Sequence, residues 1–328
     1  MDDRSLLEKK VLVSRSHDPY LNLAIEEYLF DRLNDGQRIL FLYTNSQSVI
    51  IGKHQNPWLE TNLIALRETR TPLARRISGG GTVYHDMGNL NFSFMGPKIG
   101  FDRRANLSVI QESLRGLGIE TELTKGHDIY AYGKKISGNS FCFRRNRALH
   151  HGTILLGADM GMLHRLLKSN GPLIETHAVK SRPAQTINLK TMHPELVGAE
   201  IKGAIISAYG FGDSRAYSEN FVTSDLERAA GDLAERNLSW DWIYGRTPVF
   251  SCRIPFSYSI DARRIVPSSL ALNVEKGRIA ELIGPDDLGA LLNGCKLAVS
   301  HIQDRMRGSW YPKHKTHMAA EAILKFAA

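Results

Sequence analysis

Three consecutive glycines, Gly79, Gly80 and Gly81, follow the arginines Arg75 and Arg76 inside the string RRISGGGTVYHDMGNLNFSF, which runs to Phe94. Residues without a Cβ neither sustain a helix nor pack a strand, so this point breaks the regular structure on either side. The same composition suits an anion. Bare backbone exposes consecutive N–H donors at close range, and a guanidinium adds a planar charge that stays protonated near neutral pH. A glycine-rich hairpin turn is the plainer alternative. His85, Asp86 and Asn89 weigh against it, because a turn needs no such cluster of functional groups. Beyond them Leu90, Phe92 and Phe94 alternate with Asn91 and Ser93, the period of a half-buried strand.

Strand and helix signals alternate along most of the chain. Leu21, Ala24, Ile25, Tyr28 and Leu29 recur at helical spacing behind Pro19, and Ile39 to Tyr43 and Val49 to Ile51 read as short buried strands. Leu107, Ile110, Leu114 and Leu117 give a second amphipathic helix. Ile129 to Tyr132 and Ile136 flank a predicted turn at Gly133-Lys134-Lys135. A strand pair, Phe141 to Phe143 and Leu149 to Leu156, is joined by the charged tip Arg144-Arg145-Asn146-Arg147. Helices are expected around Met162 to Leu167, Leu196 to Ala208 and Leu226 to Leu233.

After Trp240-Asp241-Trp242-Ile243-Tyr244-Gly245-Arg246-Thr247-Pro248 the texture changes to strands, with a hairpin at Glu275-Lys276-Gly277 and a terminal helical stretch. A boundary near Pro248 divides the chain into residues 1–247 and a smaller unit, 248–328. The expected class is α/β: a large domain with a mixed sheet flanked by helices, and a small α+β carboxy-terminal domain.

With 328 residues, 42% of them hydrophobic, the chain can bury a substantial core. A net charge of +8 favours an acidic partner or substrate without choosing among nucleic acid, a protein surface and a nucleotide. Cys142, Cys252 and Cys295 are widely spaced and form no CxxC pair, which predicts free thiols in a reducing compartment. The opening Met1-Asp2-Asp3-Arg4 resembles neither a secretory signal nor a transit peptide, and no apolar run reaches membrane-spanning length. The cytoplasm is the expected location, or the mitochondrion if a transit peptide precedes the sequence.

No GxxxxGK[ST], strand-borne GxGxxG or GxSxG is present, so Walker-type, dinucleotide and serine-hydrolase readings have no fingerprint. His314-Lys315-Thr316-His317 has metal-ligand spacing, but its lysines oppose cation binding, and no metal site is expected. His150-His151 opens the string HHGTILL, where two histidines beside Gly152 at a strand entrance suit a pocket wall.

RRISGGGTVYHDMGNLNFSF, GKKISGNS and HHGTILL, in this order and spacing, resemble the lipoate-protein ligase A family of the wider biotin and lipoate ligase superfamily. DPYLNLAIEEYLF, SVIIGKHQNPW and SWDWIYGRTPVF extend the likeness across essentially the whole chain. The resemblance implies a two-step ligase. Lipoate and ATP, with magnesium, give lipoyl-adenylate and pyrophosphate, and a lysine of an acceptor protein then takes the lipoyl group. The implied acceptors are lipoyl domains, as in the E2 subunits of 2-oxoacid dehydrogenases and the glycine cleavage H protein. No tightly bound prosthetic group, nucleic acid or membrane is implied.

By motif position the resemblance assigns Arg76 to the nucleotide, and Gly81, Thr82, Val83 and Tyr84 to the stretch along ATP or the adenylate. Lys135 falls where the family's lysine contacts both the adenylate phosphate and the lipoyl carbonyl, which a compact ammonium with three donors can do without forming a covalent bond. Arg75 and Ser78 would flank the phosphate, Asp128 would orient adenine or the lysine, and His151 with Gly152 would border the lipoyl tunnel. Phe92, Phe94 or Leu155 could line the acyl slot, although strand spacing favours an ordinary core role for each.

Two departures matter. Where the family commonly carries an SVRSRVxNL-like segment, this chain reads Val179-Lys180-Ser181-Arg182-Pro183-Ala184-Gln185-Thr186-Ile187-Asn188-Leu189, which unsettles the loop that would cover the adenylate. GTVYHDMGN also resembles the lipoyltransferase branch, so a lipoyl or octanoyl transferase using an already activated or protein-bound donor is the nearest competitor. A cysteine-nucleophile transferase fits less well, because Cys142 lies beside neither motif by family pattern. A basic nucleic-acid-binding protein, drawing on Arg144, Arg145, Arg147, Lys313 and Lys315, lacks interleaved aromatics.

Overall fold

A computed structural model describes residues 8–167, 173–210, 219–261, 264–307 and 314–327. The chain lays down β1 (Glu8–Val13), a helix over Pro19–Arg32, β2 (Gln37–Tyr43), β3 (Ser48–Ile51), β4 (Leu73–Arg75), β5 (Val83–His85) and β6 (Asn89–Pro97). The helix Arg103–Gly116 leads to β7 (Glu122–Leu123), β8 (Ile129–Ala131), β9 (Lys134–Ser137), β10 (Asn139–Arg144) and β11 (Arg147–Leu155). Then come β12 (Ile174–Thr176), the helix Gly198–Tyr209 and β13 (Glu219–Phe221). Last are β14 (Phe250–Asp261), β15 (Arg264–Glu275), β16 (Arg278–Ile283) and helices at Asp286–Leu292, Val299–Met306 and His314–Ala327.

β10-β11-β6-β2-β1-β13 form a mixed six-stranded sheet. Its two faces read directly from the alternation in β6. Leu90, Phe92 and Phe94 pack with Leu40 and Leu42 against Leu107, Ile110 and Leu114 of one helix and Ile201 and Ile205 of another. On the opposite face Met95, Phe41, Tyr43 and Leu149 pack against Ile25 and Phe30 of Pro19–Arg32. Phe92 and Phe94 are therefore core, on the side away from Tyr43, and Leu155 is buried in the second cluster.

Two small sheets, β4-β3-β5 and β7-β8-β9, attach to this frame. Asp18 caps the helix Pro19–Arg32 through Tyr20 and Leu21 N–H, with Pro19 at its first turn, where a missing N–H costs nothing. The turn expected at Gly133-Lys134-Lys135 sits one residue earlier. Tyr132 (φ 54°) and Gly133 (φ 70°) take the left-handed conformation, which places Lys134 and Lys135 in β9. The helix expected at Leu226 to Leu233 is two, Ser224–Ala229 and Gly231–Leu238, because Gly231 opens a new helix.

β12-β14-β15-β16 make a separate antiparallel sheet with a core of its own, including Leu272, Ile279, Leu288, Ile302 and Ile323. Its hairpin turns at Lys276 (φ 51°) and Gly277 (φ 69°). The edge strand β12 comes from residues 174–176, and Trp58 joins this core against Phe250 at 5.3 Å between ring centroids.

The basic tip between β10 and β11 turns inward. Arg144 pairs with Glu27 at 3.0 Å and with Asp31 at 3.1 Å, both on the helix Pro19–Arg32, and Arg147 Nε donates to Leu33 O. Lys313 and the side chain of His314 lie outside the described residues. Cys142, Cys252 and Cys295 are free thiols.

His150 lies fully buried among Phe92, Phe94 and Phe141, stacked on Phe141 at 4.5 Å, and Nε2 meets Asn139 Oδ1 at 2.9 Å. Burial first, then His151, His127 and Arg103, push its pKa down to about 3. A folded-state value below the unfolded 6.5 makes stability complete above pH 6.5 and progressively lost toward pH 3. This residue alone contributes about 1.4 kcal/mol per pH unit across that window. In urea unfolding at pH 6.5 and 4.5, His150→Gln should flatten the loss of stability relative to wild type; an unchanged slope would contradict the neutral assignment.

Candidate active site

The glycine triplet is shaped by the arginine before it. Arg76 is buried, and its guanidinium donates to Gly79 O and Gly81 O, each at 2.7 Å through Nη2, and to Ile50 O at 3.1 Å through Nη1. Burial pushes its pKa down to about 10, against the raising influence of Glu26 and Tyr43. In a planar trans peptide the C=O and the following N–H point in opposite directions. Drawing the Gly79 and Gly81 carbonyls onto Arg76 thus turns the N–H groups of Gly80 and Thr82 outward. Thr82 N–H donates to Ser181 Oγ at 2.9 Å; among the described residues nothing accepts from Gly80 N–H or Gly81 N–H. Gly80 adopts φ +87°, and a Cβ there would lie 3.0 Å from Arg76 Nη2.

A cavity of about 330 Å³ lies beside this loop. Gly80, Gly81, Thr82, Val83 and Arg76 form one wall, and Lys135, Asp128, Gly138, Asn139 and Ser140 another. Lys135 Nζ lies 2.9 Å from Asp128 Oδ2, with both side chains partly exposed. It packs over Gly138, where a Cβ would stand 3.2 Å from Nζ. His151, Gly152 and Thr153 continue the lining from β11, and Leu23, Tyr43, Ile50 and Val83 add an apolar part.

The unusual segment after residue 179 clamps these walls together. Val179, Lys180, Ser181 and Arg182 line the cavity. Ser181 Oγ accepts from Thr82 N–H and, at 3.0 Å, from Gln55 Nε2, and donates to the buried Glu60. Gln55 Oε1 accepts from Gly52 N–H and from Thr82 Oγ1. A few residues on, Lys135 N–H donates to Gln185 O and Ile187 N–H to Lys135 O. One stretch of chain therefore touches the glycine loop at one end and Lys135 at the other.

Three expected site residues stand elsewhere. Arg75 does not line the cavity. It is 1% exposed, and its guanidinium is spent on Ile243 O, Gly52 O, Lys53 O, Gln55 O and Thr247 Oγ1 at 2.5–3.1 Å. Ser78 lies behind the loop, with Oγ 3.1 Å from Arg76 Nε and 2.6 Å from His151 Nε2. Tyr84 follows Val83 in β5 and so faces the opposite side, into the core. Cys142 is half-buried, does not line the cavity, and burial pushes its thiol up.

The sequence reading missed Glu26. Its carboxylate accepts from His151 Nδ1 at 2.9 Å and from Ser93 Oγ at 2.5 Å. Burial acts to raise its pKa, but His151, Ser93 and Arg76 hold it below the ordinary value. The signal was the doublet Glu26-Glu27 in an otherwise apolar helical run, since a carboxylate there needs a partner. Tyr43, Gln55, Asn91 and Ser181 were also missed, lying far apart in sequence.

Residues 18–210 match the lipoyl protein ligase A/B catalytic domain. The chain belongs to this family. A lipoate-protein ligase A of Psychrobacter cryohalolentis is 34% identical over 289 residues, spanning 82% of this chain and 85% of the relative. The human mitochondrial lipoyl amidotransferase LIPT1 is 38% identical over 276 residues, 82% of this chain and 74% of the relative. Among solved structures, Plasmodium falciparum LipL1 in complex with lipoate shares the fold, with a TM-score of 0.64 at 24% identity over 97% of this chain and 99% of that one. A lipoate-protein ligase A bound with ATP has a TM-score of 0.61 at 26% identity, over 72% of this chain and 98% of that one. The chain is thus an enzyme of the lipoate ligase and transferase family, and no helix among the described residues is long and apolar enough to cross a membrane.

Arg75→Ala should cost about 3 kcal/mol or more of unfolding free energy, because it strands several buried carbonyls. Urea unfolding measures it; wild-type stability with impaired nucleotide binding would return Arg75 to the ligand.

Proposed function

We propose that this chain activates lipoate with ATP and transfers the lipoyl group to a lysine of acceptor lipoyl domains. The observation that carries this reading is the shared cavity, in which the free amides of Gly80 and Gly81 and the ammonium of Lys135 stand beside an apolar slot. In the first step a lipoate carboxylate oxygen attacks the α-phosphorus of ATP, the bond to the β-phosphate oxygen breaks, and pyrophosphate leaves. Negative charge grows on the α-phosphoryl oxygens, where preorganised N–H donors are worth most. Gly80 and Gly81 supply them. Lys135 bridges phosphate and acyl carbonyl, exchanging its contact with Asp128 for the ligand, and Arg76 supports the loop from behind.

In the second step the acceptor's neutral lysine amine attacks the acyl carbonyl and forms the amide, the acyl C–O bond of the mixed anhydride breaks, AMP leaves with the electron pair, and the amine's extra proton passes to water. The segment 179–187 covers the anhydride and keeps water from it. Asp128, the carboxylate among the cavity-lining residues, would be the group to hold a magnesium ion carried in with ATP, and the ion would offset negative charge on the triphosphate. The ATP-bound relative and the ligase of P. cryohalolentis support this reading. The positive balance steers acidic acceptor domains toward the site. We take residues 248–328 as an accessory unit and the reducing cytoplasm as the setting for its free thiols.

The human amidotransferase, at 38% identity, favours a second reading, in which the same cavity takes an acyl group activated elsewhere. One experiment separates them. Incubated with lipoate, magnesium, ATP and a lipoyl domain, the wild type should release lipoate-dependent pyrophosphate and add a lipoyl mass to the domain. Lys135→Ala should remain folded and lose both by about 10²-fold or more. Lipoylation from lipoyl-adenylate without pyrophosphate from free lipoate would establish the transferase, and full turnover by Lys135→Ala would remove the lysine from the mechanism.

A further inference from the structure

Two polar side chains on the cavity wall carry buried atoms that are unpaired among the described residues. Asn91 is 1% exposed and neither atom of its carboxamide is hydrogen-bonded; His85 is 4% exposed and its Nε2 is unpaired. What these atoms present to the cavity can be deduced. Asn22 Nδ2 donates to the carbonyl of Ser16 at 2.9 Å, which fixes its amide orientation, and the same nitrogen donates to Asn45 Oδ1 at 2.8 Å. Asn45 must then turn Nδ2 toward His85 Nδ1, 3.0 Å away, and Nδ1 must accept. Burial, with Arg76 and His151 nearby, pushes the His85 pKa down to about 3, so the ring is neutral and its proton sits on Nε2. Asn91 adds an N–H₂ and a carbonyl.

Leu23, Tyr43, Ile50 and Val83 give the same cavity its aliphatic and aromatic part, while Arg76 and His151 also stand near His85. The pair's distance from the reacting end can be counted in strands. Lys135 packs over Gly138, Gly138 O accepts from Thr153 N–H, Thr153 is paired with Asn91, and Asn91 with Tyr43. Two strand spacings, about 10 Å, separate the Lys135 end from Asn91. That is the reach of a short acyl chain whose carbonyl lies at Lys135. A plain alkyl end would leave the donors of His85 and Asn91 unsatisfied; an apolar chain ending in soft acceptor atoms would not.

We propose that His85 and Asn91 read the dithiolane sulfurs of the lipoyl group, so that this enzyme favours lipoate over octanoate. The inference rests on the lipoyl reading of the cavity but not on how the acyl group is activated. Leaving a buried donor unpaired against the wrong ligand discriminates by about tenfold or more. Calorimetric titration with lipoate and with octanoate, without nucleotide, is the test. The wild type should bind lipoate about tenfold more tightly, and Asn91→Leu should narrow the ratio to about threefold or less, chiefly by strengthening octanoate. Should Asn91→Leu fail to give a cooperative melt, His85→Phe carries the same expectation. Equal wild-type affinities, binding of neither acid, or a variant that keeps the full preference would overturn the proposal. A lipoate preference with no pyrophosphate release would leave it standing and remove the ATP-dependent reading; pyrophosphate released equally well with both acids would do the reverse.

Discussion

The site depends on a guanidinium that is buried among carbonyls. Arg76 has no carboxylate within salt-bridge distance among the described residues, and Ile50 O, Gly79 O and Gly81 O take its donors. Burying such a charge is costly unless its donors are satisfied, so the loop folds around the arginine. The loop so shaped lines the cavity with Gly80 and Gly81, whose N–H groups have no acceptor among the described residues. Behind this, Glu26 holds His151, His151 holds Ser78, and Ser78 accepts from Arg76. The carboxylate on the helix Pro19–Arg32 is thereby linked to the loop by a continuous hydrogen-bonded chain. The positive charge organises the loop, and Arg76 itself stands in the cavity wall.

The second constraint is the strap formed by residues 179–187. Its departure from the family pattern unsettled the cover in the sequence reading. In the fold it joins both halves of the cavity, with Ser181 on Thr82 N–H and Gln185 and Ile187 on the backbone of Lys135. Gly81 leaves room for this contact, since a Cβ there would lie 3.0 Å from Ser181 Oγ. The glycine triplet therefore serves two close approaches: Gly80 to Arg76, and Gly81 to the strap.

Much of the fold was legible because its signals are local. The alternation Leu90, Phe92, Phe94 gave a strand and its buried face, and Pro19 gave the start of a helix. The cavity was partly legible, since Gly81, Thr82, Val83, Asp128, Lys135, His151 and Gly152 all line it. Arg75 was misplaced because adjacent strand residues point to opposite sides, and a string of two arginines does not say which one faces the loop. Tyr84 was misplaced by the same alternation. Phe92 and Phe94 carried the right chemistry for an acyl slot but the wrong phase. The apolar lining comes from Leu23, Tyr43, Ile50 and Val83, gathered from a helix and three strands. Glu26 and Asn91 became visible only when long-range pairing supplied, or withheld, their partners.

The central claim is that the glycine amides and the Lys135 ammonium meet on one acyl-phosphate group. A crystal structure of the protein with a hydrolysis-resistant lipoyl-adenylate analogue tests it most directly. The account predicts the phosphate mimic within hydrogen-bonding distance of Gly80 or Gly81 N–H and of Lys135 Nζ at once, with the acyl chain running toward Asn91. An analogue bound in another cavity, or touching the loop while Lys135 stays on Asp128, would contradict it.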